Sequence, residues 1–511
     1  MSVNEQSAPA PLSSDEEQLH QLGYAQELRR RMSGFSNFAV SFTIISILSG
    51  CLTLYGYGMA TGGPAIIVWG WPIVGIMTLF VGLAMAEVCS SFPTAGGLYY
   101  WAAKLAKPER GPIWAWFTGW FNFLGQVAVT AGIDFGCAFF INAFLNLQWG
   151  VPTYHWVTIL IFAGVLLLHG LLNQFGIRLV ALLNDISVWW HIVGVLIIVG
   201  VLAIKPAHHQ SASFVFTHFV NNTGWHGAFY VVLLGLLLAQ YTFTGYDASA
   251  HMTEETHDAS RSGPRGIVMS IVVSLIAGWV LLIGVTFAIQ HYTAEATSAT
   301  GVPPAQIFID AAGLTVGKLL LLIAIGAQLF CGMSSVTANS RMIYAFSRDG
   351  ALPASNFWHR VNHRTRTPTN AIWLAAVFAF ILGLPYLWNP TAYAAVTSIA
   401  VIGLYIAYVT PTFLRLRQGD SFQRGPWHLG RWSRPIGIIS IIWVIFITIL
   451  FMLPTVSPIT VANFNYTVFA VVAVVGFAGI WWLVSAHKWF TGPRVQGTAE
   501  ELAAIEQDLA S

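Results

Sequence analysis

Two stretches decide how this chain is read: Thr43-Ile44-Ile45-Ser46-Ile47-Leu48-Ser49-Gly50-Cys51-Leu52-Thr53, with Gly56 and Gly58 just beyond, and Gln240-Tyr241-Thr242-Phe243-Thr244-Gly245-Tyr246-Asp247. Each lies inside a long apolar run, yet each gathers small, hydroxyl-bearing and β-branched residues that make a poor continuous helix. Lipid offers no partner to a free backbone N–H or C=O, so an interrupted helix is tolerated at membrane depth only where it is buried in protein or lines a cavity. One such stretch alone also suits close helix packing. Two of them, five spans apart, suit a solute site at the interface of two internal repeats, where half-helix N-termini face anionic groups and freed carbonyls face cations.

The runs around these stretches set the fold class. Of 511 residues, 56% are hydrophobic and only 9% are charged, against about 25% charged in soluble domains. That excludes a disordered chain, a coiled coil, a nucleic-acid binder and an ordinary soluble enzyme. A helix needs about 20 mainly apolar residues to cross a bilayer. Twelve candidates are expected, at roughly 36–60, 65–89, 112–145, 155–173, 180–204, 227–250, 264–290, 317–346, 370–388, 391–414, 435–454 and 463–486. The third and eighth are long enough to tilt or to extend past the bilayer. Of the 23 Lys and Arg residues, all except Lys205 and Lys318 fall on the side that holds both termini. This bias predicts a multi-pass membrane protein with cytoplasmic termini; the plasma membrane is its expected location.

The remaining composition says less. A net charge of +2 identifies no partner beyond the bilayer itself. The four cysteines, Cys51, Cys89, Cys137 and Cys331, all lie in apolar runs and are expected as free thiols packed like small hydrophobes. The tails, 1–33 and 488–511, are short and charged and are given no domain of their own; the spanning domain covers 34–487. Residues 1–28 are polar and acidic, unlike a cleaved leader.

Four stretches carry a resemblance. The first is Leu22-Gly23-Tyr24 with Glu27-Leu28-Arg29-Arg30 and Phe35-Ser36-Asn37-Phe38-Ala39-Val40-Ser41-Phe42. The second is Glu87-Val88-Cys89-Ser90-Ser91-Phe92-Pro93-Thr94-Ala95-Gly96-Gly97-Leu98-Tyr99, of the form E-x-x-S-x-x-P-x-A-G-G-x-Y. The third is Gln240 to Ala248 followed by Glu254-Glu255, and the fourth runs from Asn339-Ser340-Arg341 through Tyr344 to Pro353. Together they resemble the amino acid–polyamine–organocation superfamily of transporters, and within it the amino acid/choline branch that includes γ-aminobutyrate permeases. The resemblance implies an all-α polytopic membrane protein of 12 transmembrane helices. Two inverted repeats of five (about 36–204 and 227–414) would have broken helices 1 and 6, with two additional helices at about 435–486. It also implies a substrate pocket between spans 1, 3, 6, 8 and 10. Many relatives carry a Gly-x-Gly break in span 1; here only Gly50 is retained, between Ser49 and Cys51.

The candidate substrate-binding residues are therefore Ser46, Ser49, Gly50 and Cys51 on the first stretch and Tyr241, Phe243, Thr244 and Tyr246 on the second. The aromatic rings among them suit an ammonium group. Ionisable residues inside a membrane are functional candidates by default, and three are singled out for ion or proton coupling. His191 lies about 17 Å into span 5 at 1.5 Å per residue, where some relatives carry a lysine in the space of a sodium ion. A histidine there suits a proton site, or is simply hydrogen-bonded in the core. Asp247 suits an ammonium or a proton, or caps the second half-helix. Asp134 suits an amine or bonds a neighbouring helix. Glu87 and Asp185 are expected to anchor loops or gates, and Ser334, Ser335 and Thr337 to complete a sodium site if one exists. No metal site and no cofactor are expected.

The expected function is a secondary transporter that moves an amino acid or related amine such as γ-aminobutyrate by alternating access, coupled to protons rather than sodium. Polyamine or choline transport and amino acid exchange are the alternatives, and a substrate sensor on the same fold is the non-transporter reading. An enzyme is not expected: no H-E-x-x-H helix or nucleotide-binding G-x-x-x-x-G-K-[ST] is present, and His208-His209 is an isolated loop pair.

Overall fold

The computed structural model describes residues 13–389 and 391–510. Among the described residues, eleven helical segments are long and apolar enough to cross a membrane. The expected sixth span is also present but falls short of that length because it is broken. It consists of Ala228–Gly235, Leu237–Thr242 and Ala248–His251. The first span is likewise divided into Gly34–Ile45, Gly50–Thr53 and Tyr55–Ala60. The second to fifth spans are Gly63–Ser91, Gly111–Trp149, His155–Gln174 and Ile177–Ile204. The seventh to tenth are Ala259–Phe287, Leu314–Arg348, Thr369–Gly383 and Ala392–Gln418. Ser433–Leu450 and Thr467–Val484 are the eleventh and twelfth.

Burial orders these helices from centre to rim. The crossing windows of the first and third spans are 89% and 83% buried, against 17% for the twelfth. Thus the first and third spans pass through the middle of the protein, and the twelfth faces lipid along most of its surface. The second span packs on the seventh, the third on the eighth and the fourth on the ninth. A two-fold relation between two five-helix units produces such pairs. All four cysteines are buried and free.

The tails are folded against the same end of the molecule. Ser14–Leu22 begins on a reciprocal Ser13/Glu16 cap and stops at Gly23, whose φ of 100° suits a residue without Cβ. The C-terminal helix Ala499–Ala510 lies beside it, with His20 Nε2 2.8 Å from Glu506 Oε1.

Candidate functional site

The two breaks are produced by different local devices. In the first span, Ser46 takes a φ of 37°, a left-handed value that ends the helix. Ser49 and Gly50 N–H both return to Ser46 O (2.8 and 3.0 Å). The N–H groups of Ile47 and Leu48 find no acceptor among the described residues. In the sixth span, Thr244 N–H folds back onto Thr242 O (2.9 Å), and Gly245 turns the chain with a φ of 85°. Gly245 N–H is taken by Tyr408 OH (3.2 Å), while those of Tyr246 and Asp247 have no acceptor among the described residues. Two freed carbonyls are already held: Phe243 O by Tyr405 OH (2.5 Å) and Tyr246 O by Ser41 Oγ (2.9 Å).

The breaks cross in direct contact. A Cβ on Gly50 would stand 2.5 Å from Thr242 Oγ1, and one on Gly245 would overlap the Ile44 side chain. All eight candidate binding residues, Ser46, Ser49, Gly50, Cys51, Tyr241, Phe243, Thr244 and Tyr246, lie in or beside this crossing and are buried. The Phe243 ring rests on Trp71 with centroids 4.4 Å apart, and Tyr246 on Tyr408 at 4.8 Å.

The three coupling candidates separate. His191 Nε2 is 2.7 Å from Ser46 Oγ and its Nδ1 is 2.8 Å from Ser187 O, so it touches the first break directly. Asp247 makes no cap on the helix it precedes. Its carboxylate instead accepts from Gln126 Nε2 (2.7 Å) and Tyr408 OH (2.6 Å) and lies 3.2 Å from His251 Nε2. Asp134 is turned to the fourth span, 3.1 Å from His169 Nδ1. Asp134 Oδ1 and His169 Nε2 have no hydrogen-bond partner among the described residues.

The other polar candidates are structural in their contacts. Ser334, Ser335 and Thr337 are not brought together: they bond Asn184 of the fifth span, Thr130 of the third and Asn173 of the fourth, respectively. Glu87 anchors the loop between the tenth and eleventh spans through Arg415 (3.3 Å), Leu429 N–H (3.2 Å) and Ser433. Asp185 accepts from Ser36 Oγ at 3.1 Å. Sequence reasoning did not single out Gln126, Tyr405, Tyr408, His169 or His251. The one readable signal was Tyr405 and Tyr408, three apart and hence on one face of a helix.

A cavity of about 480 Å³ opens at the end away from the tails. Its walls include Thr53 and Tyr57 of the first span, Phe139 and Asn142 of the third, and Tyr393 of the tenth. No residue of the sixth or eighth span lines it, so it is a vestibule beside the expected pocket rather than the pocket itself. It reaches the first break through Thr53, whose hydroxyl donates to Ser49 O (2.7 Å), while Tyr393 OH donates to Gly132 O (3.3 Å).

The tail end is closed by buried ion pairs, Arg341 with Glu255 (2.8 Å) and Arg348 with Glu254 (3.0 Å). The Tyr24 ring lies 3.8 Å from the Arg348 guanidinium carbon. Asp349 beneath them accepts from Tyr99 OH (2.7 Å), Tyr24 OH (3.1 Å) and Arg494 N–H (3.0 Å). Burial holds its carboxyl above the ordinary carboxylate range.

The comparisons with known proteins agree with this architecture. The family model described as amino acid permease matches residues 32–476. The amino-acid permease BAT1 of Arabidopsis thaliana is 44% identical over 506 residues, covering 96% of this chain and 98% of its own. The amino-acid permease BAT1 homolog of Oryza sativa subsp. japonica is 44% identical over 492 residues (93% and 94%). A GABA-specific permease of Saccharomyces cerevisiae is 33% identical over 490 residues (94% and 86%). With its two broken spans crossing at the centre of a helical membrane domain, the chain belongs to the amino acid permease family of the amino acid–polyamine–organocation superfamily, and is a transporter rather than an enzyme.

Proposed function

We propose that the protein carries γ-aminobutyrate or another zwitterionic amino acid across the plasma membrane by proton-coupled alternating access, with both termini in the cytoplasm. The observation that carries this reading is the crossing of two uncoiled stretches, the first of which leaves the N–H groups of Ile47 and Leu48 without acceptors among the described residues. Free N–H groups at a helix break suit a carboxylate. Ser46, Ser49, Gly50 and Cys51 cradle that end of the solute. Tyr241, Phe243, Thr244 and Tyr246 cover the ammonium end, with Asp247 as the counter-charge. Neither break contains Lys or Arg, which admits a zwitterion and disfavours a dianion. A relative named for γ-aminobutyrate supports the class.

His191 is the first proton site, because it is the titratable side chain bonded to the residue at which the first span uncoils. Asp247, and more remotely Asp134 with His169, are the second and third. The divergence of Ser334, Ser335 and Thr337 makes sodium the weaker choice. The concentration of Lys and Arg at the tail end supports its cytoplasmic placement. The vestibule at the opposite end and the ion pairs at the tail end then correspond to an outward-facing state. In this reading residues 34–487 are the moving domain, with repeats at about 36–204 and 227–414, flanked by tails 1–33 and 488–511.

The test is uptake of labelled γ-aminobutyrate and a panel of amino acids into proteoliposomes under an imposed proton or sodium gradient. Accumulation that follows the proton gradient supports the proposal. Binding without flux, or flux that follows sodium alone, overturns it.

A further inference from the structure

Most arginines that reach inward from the tail end are paired. Arg341 and Arg348 hold Glu255 and Glu254, Arg415 holds Glu87, and Arg30 holds the carbonyls of Thr253 and Thr256. Around the loop between the tenth and eleventh spans, four others are not. Arg417, Arg424, Arg431 and Arg434 are exposed, and among the described residues none has a carboxylate within ion-pair distance. They line one cavity of about 650 Å³, whose lining holds a single acid, Asp420. Arg415, held by Glu87, lies on the same wall, so four unpaired cations face one carboxylate and leave the cavity strongly electropositive.

The same cavity continues onto apolar surface. Ile438, Ile441 and Ile442 of the eleventh span form part of its wall. Ile438, Ile442, Ile445 and Ile449 are 43%, 63%, 55% and 55% exposed. Their spacing places them in one stripe along a helix that crosses the membrane. The cavity therefore asks for a ligand that is anionic at one end and long and apolar at the other.

We infer that this cavity binds an anionic phospholipid, with the phosphate among the four guanidinium groups and an acyl chain along the isoleucine stripe. Guanidinium matches phosphate geometry in paired hydrogen bonds, and basic clusters beside a span are drawn to anionic lipid. A second copy of the chain is the poorer occupant, since a two-fold contact across this face would set one copy's arginines against the other's. The position also bears on the breaks. Arg417 ends the helix whose Tyr405 and Tyr408 hold Phe243 O and Asp247. The loop it begins is anchored on Glu87. A seated lipid clamps the tenth span to the eleventh at the end from which the tenth reaches the sixth-span break.

The full chain in detergent is titrated with phosphatidylglycerol or phosphatidylcholine, and bound lipid is counted by native mass spectrometry. One phosphatidylglycerol is expected to be retained with a preference of about tenfold or more. Arg417→Gln/Arg424→Gln/Arg431→Gln/Arg434→Gln should abolish that preference. Lys104→Gln/Lys107→Gln/Arg110→Gln/Arg178→Gln removes the same charge from the same end and should leave it intact. Equal loss in both variants overturns the site in favour of diffuse attraction. Displacement of the lipid by an equal concentration of glycerol 3-phosphate overturns it in favour of a free phosphate anion. Equal retention of phosphatidylcholine also overturns it. Where four substitutions impair folding, Arg431→Gln/Arg434→Gln is used instead; it should reduce the preference by about half on a logarithmic scale, and an unchanged preference counts against the site.

Discussion

His191 and Ser46 meet at 2.7 Å, Nε2 to Oγ, tying the middle of the fifth span to the residue at which the first span uncoils. The ring's other nitrogen faces Ser187 O at 2.8 Å and can only donate to it. In the neutral ring Nε2 is therefore the acceptor, and the Ser46 hydroxyl donates. A second proton on the ring turns Nε2 into a donor, so the Ser46 hydroxyl must rotate away. Ser46 already holds a left-handed φ of 37°. One residue thus carries both the helix break and the contact that changes sign with protonation.

This predicts a specific loss of pH response. Wild-type uptake in proteoliposomes should rise as the outer pH is lowered from about 8 to about 4, a range that covers the titration of an imidazole whether exposed or buried. His191→Gln keeps a hydrogen-bonding side chain but cannot titrate, so its uptake should be flat over that range. His191→Ala also leaves Ser46 without its partner, and uptake should fall by about tenfold at every pH. A His191→Gln profile identical to wild type would remove the histidine from coupling.

Asp247 accepts from two spans other than its own, from Gln126 and from Tyr408. Hydrogen bonds to a charged group contribute on the order of 1.5–3 kcal/mol. Asp247→Asn keeps the shape and removes the charge, and should reduce the initial uptake rate by about 10- to 100-fold. Tyr408→Phe removes one donor to the carboxylate and the acceptor of Gly245 N–H but keeps the charge, and should cost less, about fivefold. Asp247→Asn with wild-type kinetics would make the carboxylate a packing group.

The parts of this site that were legible in the sequence were the local ones. Ser46, Gly50 and Gly245 announce their breaks because each sits among residues that interrupt a helix, within runs long enough to span. The partners of Asp247 were not legible. A local rule offers an acid before a helix as a cap. Here that rule loses to Gln126 and Tyr408, which arrive from the third and tenth spans and bond the carboxylate directly. The docking of the tails was hidden for the same reason. His20 with Glu506, and Gln496 N–H with Gly23 O, join the two ends of the chain, and no periodicity encodes such contacts. The vestibule, walled by Thr53 and Tyr393 and not by the sixth span, depends on how far the half-helices have swung, which composition does not carry.

Gly50 is required by space rather than by backbone conformation. Its φ is not left-handed, so alanine is allowed there, but a Cβ would stand 2.5 Å from Thr242 Oγ1 and 2.8 Å from Thr242 Cβ. Gly50→Ala should lower stability by about 1–3 kcal/mol, as overpacking does, and should abolish uptake by wedging the two breaks apart. Thr242→Gly removes the obstructing atoms, so the double variant should regain thermal stability and part of the flux. No recovery in the double variant would show that Gly50 is needed for something other than this approach.

Asp349 gives the tail dock a pH dependence whose sign can be worked out. Its carboxyl titrates above the ordinary carboxylate value because it is buried, so the folded form favours the proton. The resulting stability is fully present below the unfolded value of about 3.9. It is lost as pH rises from there through the raised folded value. Asparagine carries no charge and can still accept from Tyr99 and Tyr24, so it is exempt from that loss. The Tm of Asp349→Asn relative to wild type should therefore become more favourable as pH rises from about 4, and should level off above the raised value. The fixed part of the difference, from altered hydrogen bonds to Tyr24, Tyr99 and Arg494 N–H, does not change with pH. A Tm difference that is constant across the range would separate the ionisation of Asp349 from the packing of the tails; a variant that loses ground to wild type as pH rises would mean that the charged carboxylate is the form these donors stabilise.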